Sequence, residues 1–275
     1  MTAGQASGPA ADPLAGRRGQ MDPGQREQIV EALFNARRLG RAITGAPAMK
    51  LSRTKGLQLQ LDVLARFVAE GEALGGWKVG FTSGASRDAM GPGFRPFGYV
   101  LASRLLPSGA AVPATLLNGM LEPELGLVLD RPLGGAEVDA AAARAAVRAM
   151  IPAFEVNEVR IPPGSGLSAG HVLADGLANW GVVAGPERAV CDSLTSLEVS
   201  MYDGEACVAR TAAADTIDDP FESLASLCRQ LHAYGLRLEP GQVVITGSFA
   251  HHKVKGPGRI RASFGDIGEV ALQLT

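Results

Sequence analysis

The chain changes its hydrophobic period at Gly75-Gly76, and that change restricts the folds open to it. Before the pair, apolar residues follow helical spacing. Asp22-Pro23 reads as a helix start, a capping side chain followed by proline at the first helical position. Val30, Leu33 and Phe34 form its apolar stripe, and Gly40 is placed to stop it. A second helix is predicted from Ser52 to Leu74, with Leu57, Leu61, Leu64 and Val68 at three- and four-residue spacing and Gly75-Gly76 as its end. Beyond the pair the chain breaks into short strands, predicted at 77–81, 99–102, 124–130, 151–156, 180–184, 196–202, 206–210, 243–246, 260–264 and 270–274. Two helices interrupt them. One is alanine-rich, from Asp139 to Met150; the other runs from the Asp219-Pro220-Phe221-Glu222 capping box to Gly235. Many short strands with isolated helices predict an α+β fold, not a doubly wound α/β one. The expected division is a disordered tail over 1–21, a helical section over 22–75 and a mixed-β domain over 76–275.

Composition narrows the chemistry. With 26 Lys+Arg against 28 Asp+Glu, the net charge of −2 lacks the basic surplus of a nucleic-acid binder. No run approaches the roughly 18 apolar residues of a membrane span. The first twenty residues hold no apolar core of a signal peptide, which, with the few thiols, predicts a cytoplasmic protein. Cys191, Cys207 and Cys228 are too few and too scattered for a disulfide framework or a zinc ribbon. Of the four histidines, His251 and His252 are adjacent and point in opposite directions on extended chain, so they are poor joint ligands and read as surface or substrate-edge residues. A metal site in this chain must be built from carboxylates. No Walker loop occurs.

Three segments carry candidate chemistry. In Leu121-Glu122-Pro123-Glu124-Leu125, residues two apart share a face of a strand, so Glu122 and Glu124 project side by side next to an apolar run. Two such carboxylates repel and are costly to desolvate, and a hard cation such as Mg²⁺ or Mn²⁺ removes that cost. The alternative is a strand end with both glutamates in water. Glu155, embedded in Ile151-Pro152-Ala153-Phe154-Glu155-Val156, either completes a three-carboxylate face or pairs with Arg160. Lys78, between Trp77 and Val79, is either buried, with its pKa lowered toward acid–base use, or reaches past Trp77 to water. A fourth segment, Ile245-Thr246-Gly247-Ser248, is a strand running into a turn. Its N–H groups either hold a substrate carboxylate or form a plain hairpin exit.

Together these residues resemble the 2-keto-4-pentenoate hydratase / 2-oxo-3-hexenedioate decarboxylase family of the fumarylacetoacetate hydrolase superfamily. The matching pieces are Gly76-Trp77-Lys78-Val79-Gly80-Phe81-Thr82-Ser83, Pro96-Phe97-Gly98, Glu122-Pro123-Glu124 with Arg131-Pro132-Leu133, Pro152-Ala153-Phe154-Glu155, Ala174-Asp175, the stretch from Gly241 to Ser248, and Phe264-Gly265-Asp266-Ile267-Gly268-Glu269-Val270. They stand in the family's order across 37–275. The resemblance implies a mixed β roll with flanking helices. It implies one Mg²⁺ or Mn²⁺ on Glu122, Glu124 and Glu155, with Lys78 and Asp175 as catalytic residues and Thr82, Ser83, Gly247 and Ser248 binding substrate. The implied reaction is metal-assisted, on a small-molecule 2-oxo acid: water addition to a 2-hydroxy-dienoate, or alternatively decarboxylation of a vinylogous 2-oxo acid. A homo-oligomer without nucleic-acid or membrane partners is implied as well. A non-catalytic scaffold partner of such an enzyme is the remaining alternative, against which the costly carboxylate cluster argues.

The superfamily's C–C hydrolases place a histidine on an N-terminal lid and a lysine after the third carboxylate. This chain has no histidine before His171 and no lysine between Lys78 and Lys253. It also departs from its own branch: the family's A-D-N-A-S-S is Ala174-Asp175-Gly176-Leu177-Ala178-Asn179 here, and E-I-x-D-S-R is Glu155-Val156-Asn157-Glu158-Val159-Arg160. Ligands and lysine are kept while substrate-lining positions change, which predicts the same chemistry on a larger or less polar 2-oxo acid.

Overall fold

The computed structural model describes residues 21–275 apart from 215, so most of the expected tail lies outside the described residues. Asp22 caps α1 (Pro23–Leu39) by accepting from the Gln25 N–H, and Gly40 ends it in a left-handed turn. Ser52 caps α2 (Arg53–Ala69). This helix stops five residues before the predicted end, at Glu70-Gly71, where Gly71 takes φ +95°. The residues that were expected to stop it open a strand instead, β1 (Leu74–Val79). Gly76 is needed there for a different reason: a Cβ at this position would lie 1.9 Å from the Val243 carbonyl oxygen of the neighbouring strand.

The chain continues through β2 (Phe97–Leu101), β3 (Leu105–Pro107), β4 (Ala111–Val112), β5 (Met120–Leu129), α3 (Ala140–Ala145) and β6 (Val147–Asn157). Next come α4 (Ala169–Ala174), β7 (Asn179–Ala184), the hairpin β8 (Glu198–Asp203) and β9 (Ala206–Ala212), and α5 (Pro220–His232). The end of the chain forms β10 (Val243–Ser248), β11 (His252–Lys253), β12 (Gly258–Ser263) and β13 (Glu269–Leu274). The alanine-rich helix is half its predicted length. Local propensity favours helix to Met150, but Ala149 and Met150 pair with Val128 and Leu127 of β5, and that pairing wins.

An eight-stranded mixed sheet runs β2-β1-β10-β5-β6-β7-β3, with β11 also on β5, and a five-stranded sheet runs β4-β13-β12-β8-β9. β1 pairs β10 in parallel, whereas β10, β5, β6 and β7 pair antiparallel in turn. This is the expected α+β mixed roll. One face of the large sheet carries Leu125, Leu127, Phe154 and Val244 into the main core, which also takes Ile29 and Leu33 of α1 and Leu57 and Val63 of α2. The opposite face buries a smaller cluster of Val128, Ile151, Ala153, Val182 and Ile245. Among the described residues no helix is long and apolar enough to cross a membrane.

Candidate metal centre

Strand periodicity builds the centre. Glu122 and Glu124 share the side of β5 that carries Val128, and the register sets Glu155 of β6 opposite Glu122. All three therefore project from the face whose other residues form the small apolar cluster. One oxygen of each lies within 4.8 Å of the others. Glu124 and Glu155 are 3% and 1% exposed, and Glu122 is half-buried. The reading that left the E-x-E glutamates in water does not hold.

Lys78 sits on the adjoining part of the sheet, one strand beyond β10, and is buried. Its Nζ donates to Glu155 at 2.7–2.8 Å and lies 3.4 Å from the Leu177 carbonyl. The expected lowering of its pKa is corrected. Burial does push downward, but Glu155, Glu122 and Glu124 outweigh it and hold the ammonium charged. The pKa values of two carboxyls rise as well, which disfavours their charged form. Burial, then the charge of Glu155, raises Glu122 to about 7. Burial, then Glu155 and Glu122, raises Glu124 well above the ordinary range. One ammonium does not neutralise three carboxylates, so the site without a cation keeps protons that a cation would displace.

The remaining ligand contacts come from neighbours. Asn157 Nδ2 donates to Glu122 at 3.0 Å, Asn179 Nδ2 to Glu155 at 2.8 Å, and the Gly247 N–H to Glu124 at 2.8 Å. That last bond corrects the idea that the Gly247 turn offers a free N–H to a substrate carboxylate: this donor already orients a glutamate. Thr82 donates to the Thr246 carbonyl at 2.9 Å, and Ser248 to the Ala250 carbonyl at 2.7 Å. Thr82, Ser83, Gly247 and Ser248 all line the cavity in front of the carboxylates, which measures about 230 Å³. Asp175 does not. It is buried behind the cavity, bonded to Arg160 at 3.0 and 3.1 Å and 3.9 Å from Arg37. Arg160 in turn bonds Glu158 at 2.8 Å, not Glu155 as one sequence reading had it.

Asn157, Asn179 and His251 are contributors that sequence reasoning passed over or left without a role. Asn157 was findable, since it follows Glu155 by two residues on an inward-facing strand. His251 Nε2 lies 3.7 Å from Glu122 at the cavity wall, while His252 turns to Asp203, 3.3 Å away, as their adjacency predicts. Burial lowers the His251 pKa, which keeps the ring neutral near pH 7. Three non-glycine residues in the left-handed region, Phe81, Leu177 and Ala178, also line the cavity. Such strain, on the order of 1–3 kcal/mol each, concentrates where a site needs an unusual backbone path.

An all-oxygen set of three clustered carboxylates, with the pKa values of Glu122 and Glu124 raised, suits a hard divalent cation. No family model matches the chain. Among curated proteins, 2-oxo-hept-4-ene-1,7-dioate hydratase of Escherichia coli is 27% identical over 75% of this chain and 80% of its own length. The 4-oxalocrotonate decarboxylase of Pseudomonas sp is 27% identical over 90% of this chain and 97% of its own. Proteins named 2-keto-4-pentenoate hydratase match in the same range. The chain is a homologue of the 2-keto-4-pentenoate hydratases and 4-oxalocrotonate decarboxylases. A solved 4-oxalocrotonate decarboxylase from Pseudomonas putida G7, complexed with magnesium and adipate, shares the fold of this hydratase and decarboxylase homologue at a TM-score of 0.85. It is 23% identical, over 93% of this chain and 99% of that one. The segment in which the chain departs from the pattern it resembles, 174–179, holds the strained Leu177-Ala178 pair at the cavity wall.

Proposed function

We propose that the chain is a divalent-metal-dependent lyase that adds water to a 2-hydroxy-dienoate, with Glu122, Glu124 and Glu155 as metal ligands. The observation that carries the reading is the buried three-carboxylate face with Lys78 against it. A bound Mg²⁺ or Mn²⁺ supplies Lewis acidity to the 2-oxo and carboxylate oxygens of the substrate. The chain's own residues do the rest. Asn157, Asn179 and the Gly247 N–H hold the three carboxylates in place. Lys78 Nζ keeps a proton and a positive charge beside the forming enolate. His251 Nε2, neutral near pH 7 at the cavity wall, is positioned to carry a proton. Asp175 serves these groups through Arg160, as a positioning residue.

The lining also selects the substrate. Among the described residues no lining side chain apart from Lys78 and His251 can bear positive charge, and Phe81, Met120, Val159, Val172 and Leu177 supply apolar wall. A second carboxylate on the substrate has no partner there, so the reading is a 2-oxo acid with an apolar tail. The three cysteines, none in a disulfide, suit a cytoplasmic enzyme. A homo-oligomer belongs to the same proposal and is checked by light scattering.

The test is Mg²⁺ titration followed by steady-state turnover of 2-hydroxypenta-2,4-dienoate, its alkyl-extended analogues and 2-oxo-3-hexenedioate. Metal binding with preference for the alkyl-extended dienoates is expected. Absence of Mg²⁺ or Mn²⁺ binding removes the enzymatic reading in favour of a scaffold. Preference for the dicarboxylate overturns the apolar-tail assignment, and CO₂ release from it assigns decarboxylation.

A further inference from the structure

A second cavity, of about 270 Å³, is lined by Arg37 and Arg160, the two arginines that contact Asp175. Its wall includes Arg37 and Arg38 from the last turn of α1, Arg104 from the turn after β2, Arg160 and Trp180. Arg160 is fully matched by Asp175, Glu158 and the Asn179 carbonyl. The other three are not. Arg37 is 8% exposed, its Nη1 bonds the Asp175 carbonyl at 2.9 Å, and its buried Nε has no partner. Among the described residues Arg38 and Arg104 lie within ion-pair distance of no carboxylate. Glu72 is the one carboxylate on the wall, and it accepts from Ser103 at 2.8 Å.

These guanidiniums are held in place. Arg104 stacks on Trp180 at 4.1 Å, Arg37 on Tyr99 at 4.7 Å and Arg38 on Phe34 at 5.6 Å. Stacking fixes each plane; Arg37 spends Nη1 on the Asp175 carbonyl and Arg38 Nη2 donates to Asn35 at 3.5 Å, while among the described residues the N–H edge of Arg104 has no hydrogen-bond partner and can form forked bonds. The dipole at the end of α1 accounts for one or two cations on its last turn, but Arg104 is not on that helix. Burial, then the charge of Arg37, weakens the hold of Arg104 on its proton. Clustered cations in a partly dry cavity repel, as the three carboxylates do, and an anion removes the repulsion.

We propose that this cavity binds a small oxyanion, a carboxylate or a phosphate, gripped by Arg37, Arg38 and Arg104 with Trp180 beneath. The chemistry needed is a compact anion with two or three oxygens able to accept forked N–H donors. The site does not depend on what reaction the carboxylate face performs.

Trp180 gives the readout, because the other tryptophan, Trp77, is sealed in the core. The full-length protein is titrated with inorganic phosphate and, separately, with glutarate, at constant ionic strength set by chloride. Emission of Trp180 and the melting temperature are followed together. A saturable change with either anion is expected, weakened about tenfold or more in Arg104→Gln and further in Arg38→Gln/Arg104→Gln. Arg104→Lys is expected to recover only part of the affinity, since it keeps charge without the fork. Response to phosphate alone or to glutarate alone assigns the source. The proposal is overturned if neither anion gives a saturable change or if chloride reproduces it. It is likewise overturned if the double variant responds like the parent, or if Arg104→Gln changes only the assembly state and so marks a contact between copies.

Discussion

The acidic cavity sets three carboxylates against one ammonium, whereas the basic cavity sets four guanidiniums against one carboxylate at its wall. A chain of buried contacts joins them, from Glu155 through Asn179 and Arg160 to Asp175 and Arg37. In the middle of that chain Arg160 has every partner it needs within the protein. At both ends charge is left over. The contrast separates a buried charge that holds the fold from charges, buried or at a cavity mouth, that await something from outside. It does so without reference to residue type, since arginine occurs in both roles.

The largest effect tests the acidic end. Glu124→Ala and Lys78→Ala are each expected to lower kcat/KM by about a hundredfold or more with the fold intact. A near-parental rate in either variant would take that residue out of the reaction. At the middle, Arg160→Met strands Asp175 and Glu158 without their cation, and a loss of about 3–5 kcal/mol is expected in urea unfolding. A loss near zero would show that Arg160 too is a spare charge. Saturating Mg²⁺ should stabilise the protein by about 2.7 kcal/mol at 100 times Kd, an increment absent in Glu124→Gln.

The pH dependence sharpens the same distinction. A carboxyl whose folded pKa is raised holds its proton more tightly folded than unfolded. The contribution of Glu122 is thus present below the ordinary carboxyl range and lost as pH rises to about 7. Glu124 acts in the same direction. Melting of the metal-free protein is expected to fall over this interval, and Mg²⁺ should flatten the slope while binding more tightly as pH rises. A metal-free slope of opposite sign would contradict the burial of the pair. The smallest effect belongs to the basic end, where Arg104→Gln should change stability by no more than about 0.5 kcal/mol, because it removes a cation without an ion-pair partner.

The acidic end was legible in the sequence because its geometry is local. Period two aligns Glu122 with Glu124 beside an apolar run, while exposure of the pair and an ion pair of Glu155 with Arg160 stayed open on the residues alone, and the three-carboxylate set was what the resemblance implied. The basic end was not legible. Arg37, Arg104 and Trp180 are distant in sequence, share no motif, and meet only once α1, β2 and β7 are packed. Asp175 shows the limit of a motif: the resemblance located the residue but not the direction of its side chain, which Arg160 decides. The same holds for secondary structure. The helix caps at Asp22 and Asp219 act within a few residues and were read from the sequence, whereas the end of α3 is set by a partner strand. Gly75-Gly76 marked the right place for the wrong reason, because the constraint on Gly76 is the passage of Val243.

That passage has a consequence for how the protein is made. β10 inserts between β1 and β5, so a strand from near the end of the chain separates two from its first half. Until β10 is synthesised and released, β1 lacks its parallel neighbour and the Glu124 carboxylate lacks the Gly247 donor. Pairings between such distant segments close slowly, and the open strand edges are exposed to aggregation meanwhile. If the three glutamates hold the ion as proposed, metal affinity is acquired late in folding, and a chain cut before Val243 should carry all three glutamates yet fail to retain the ion.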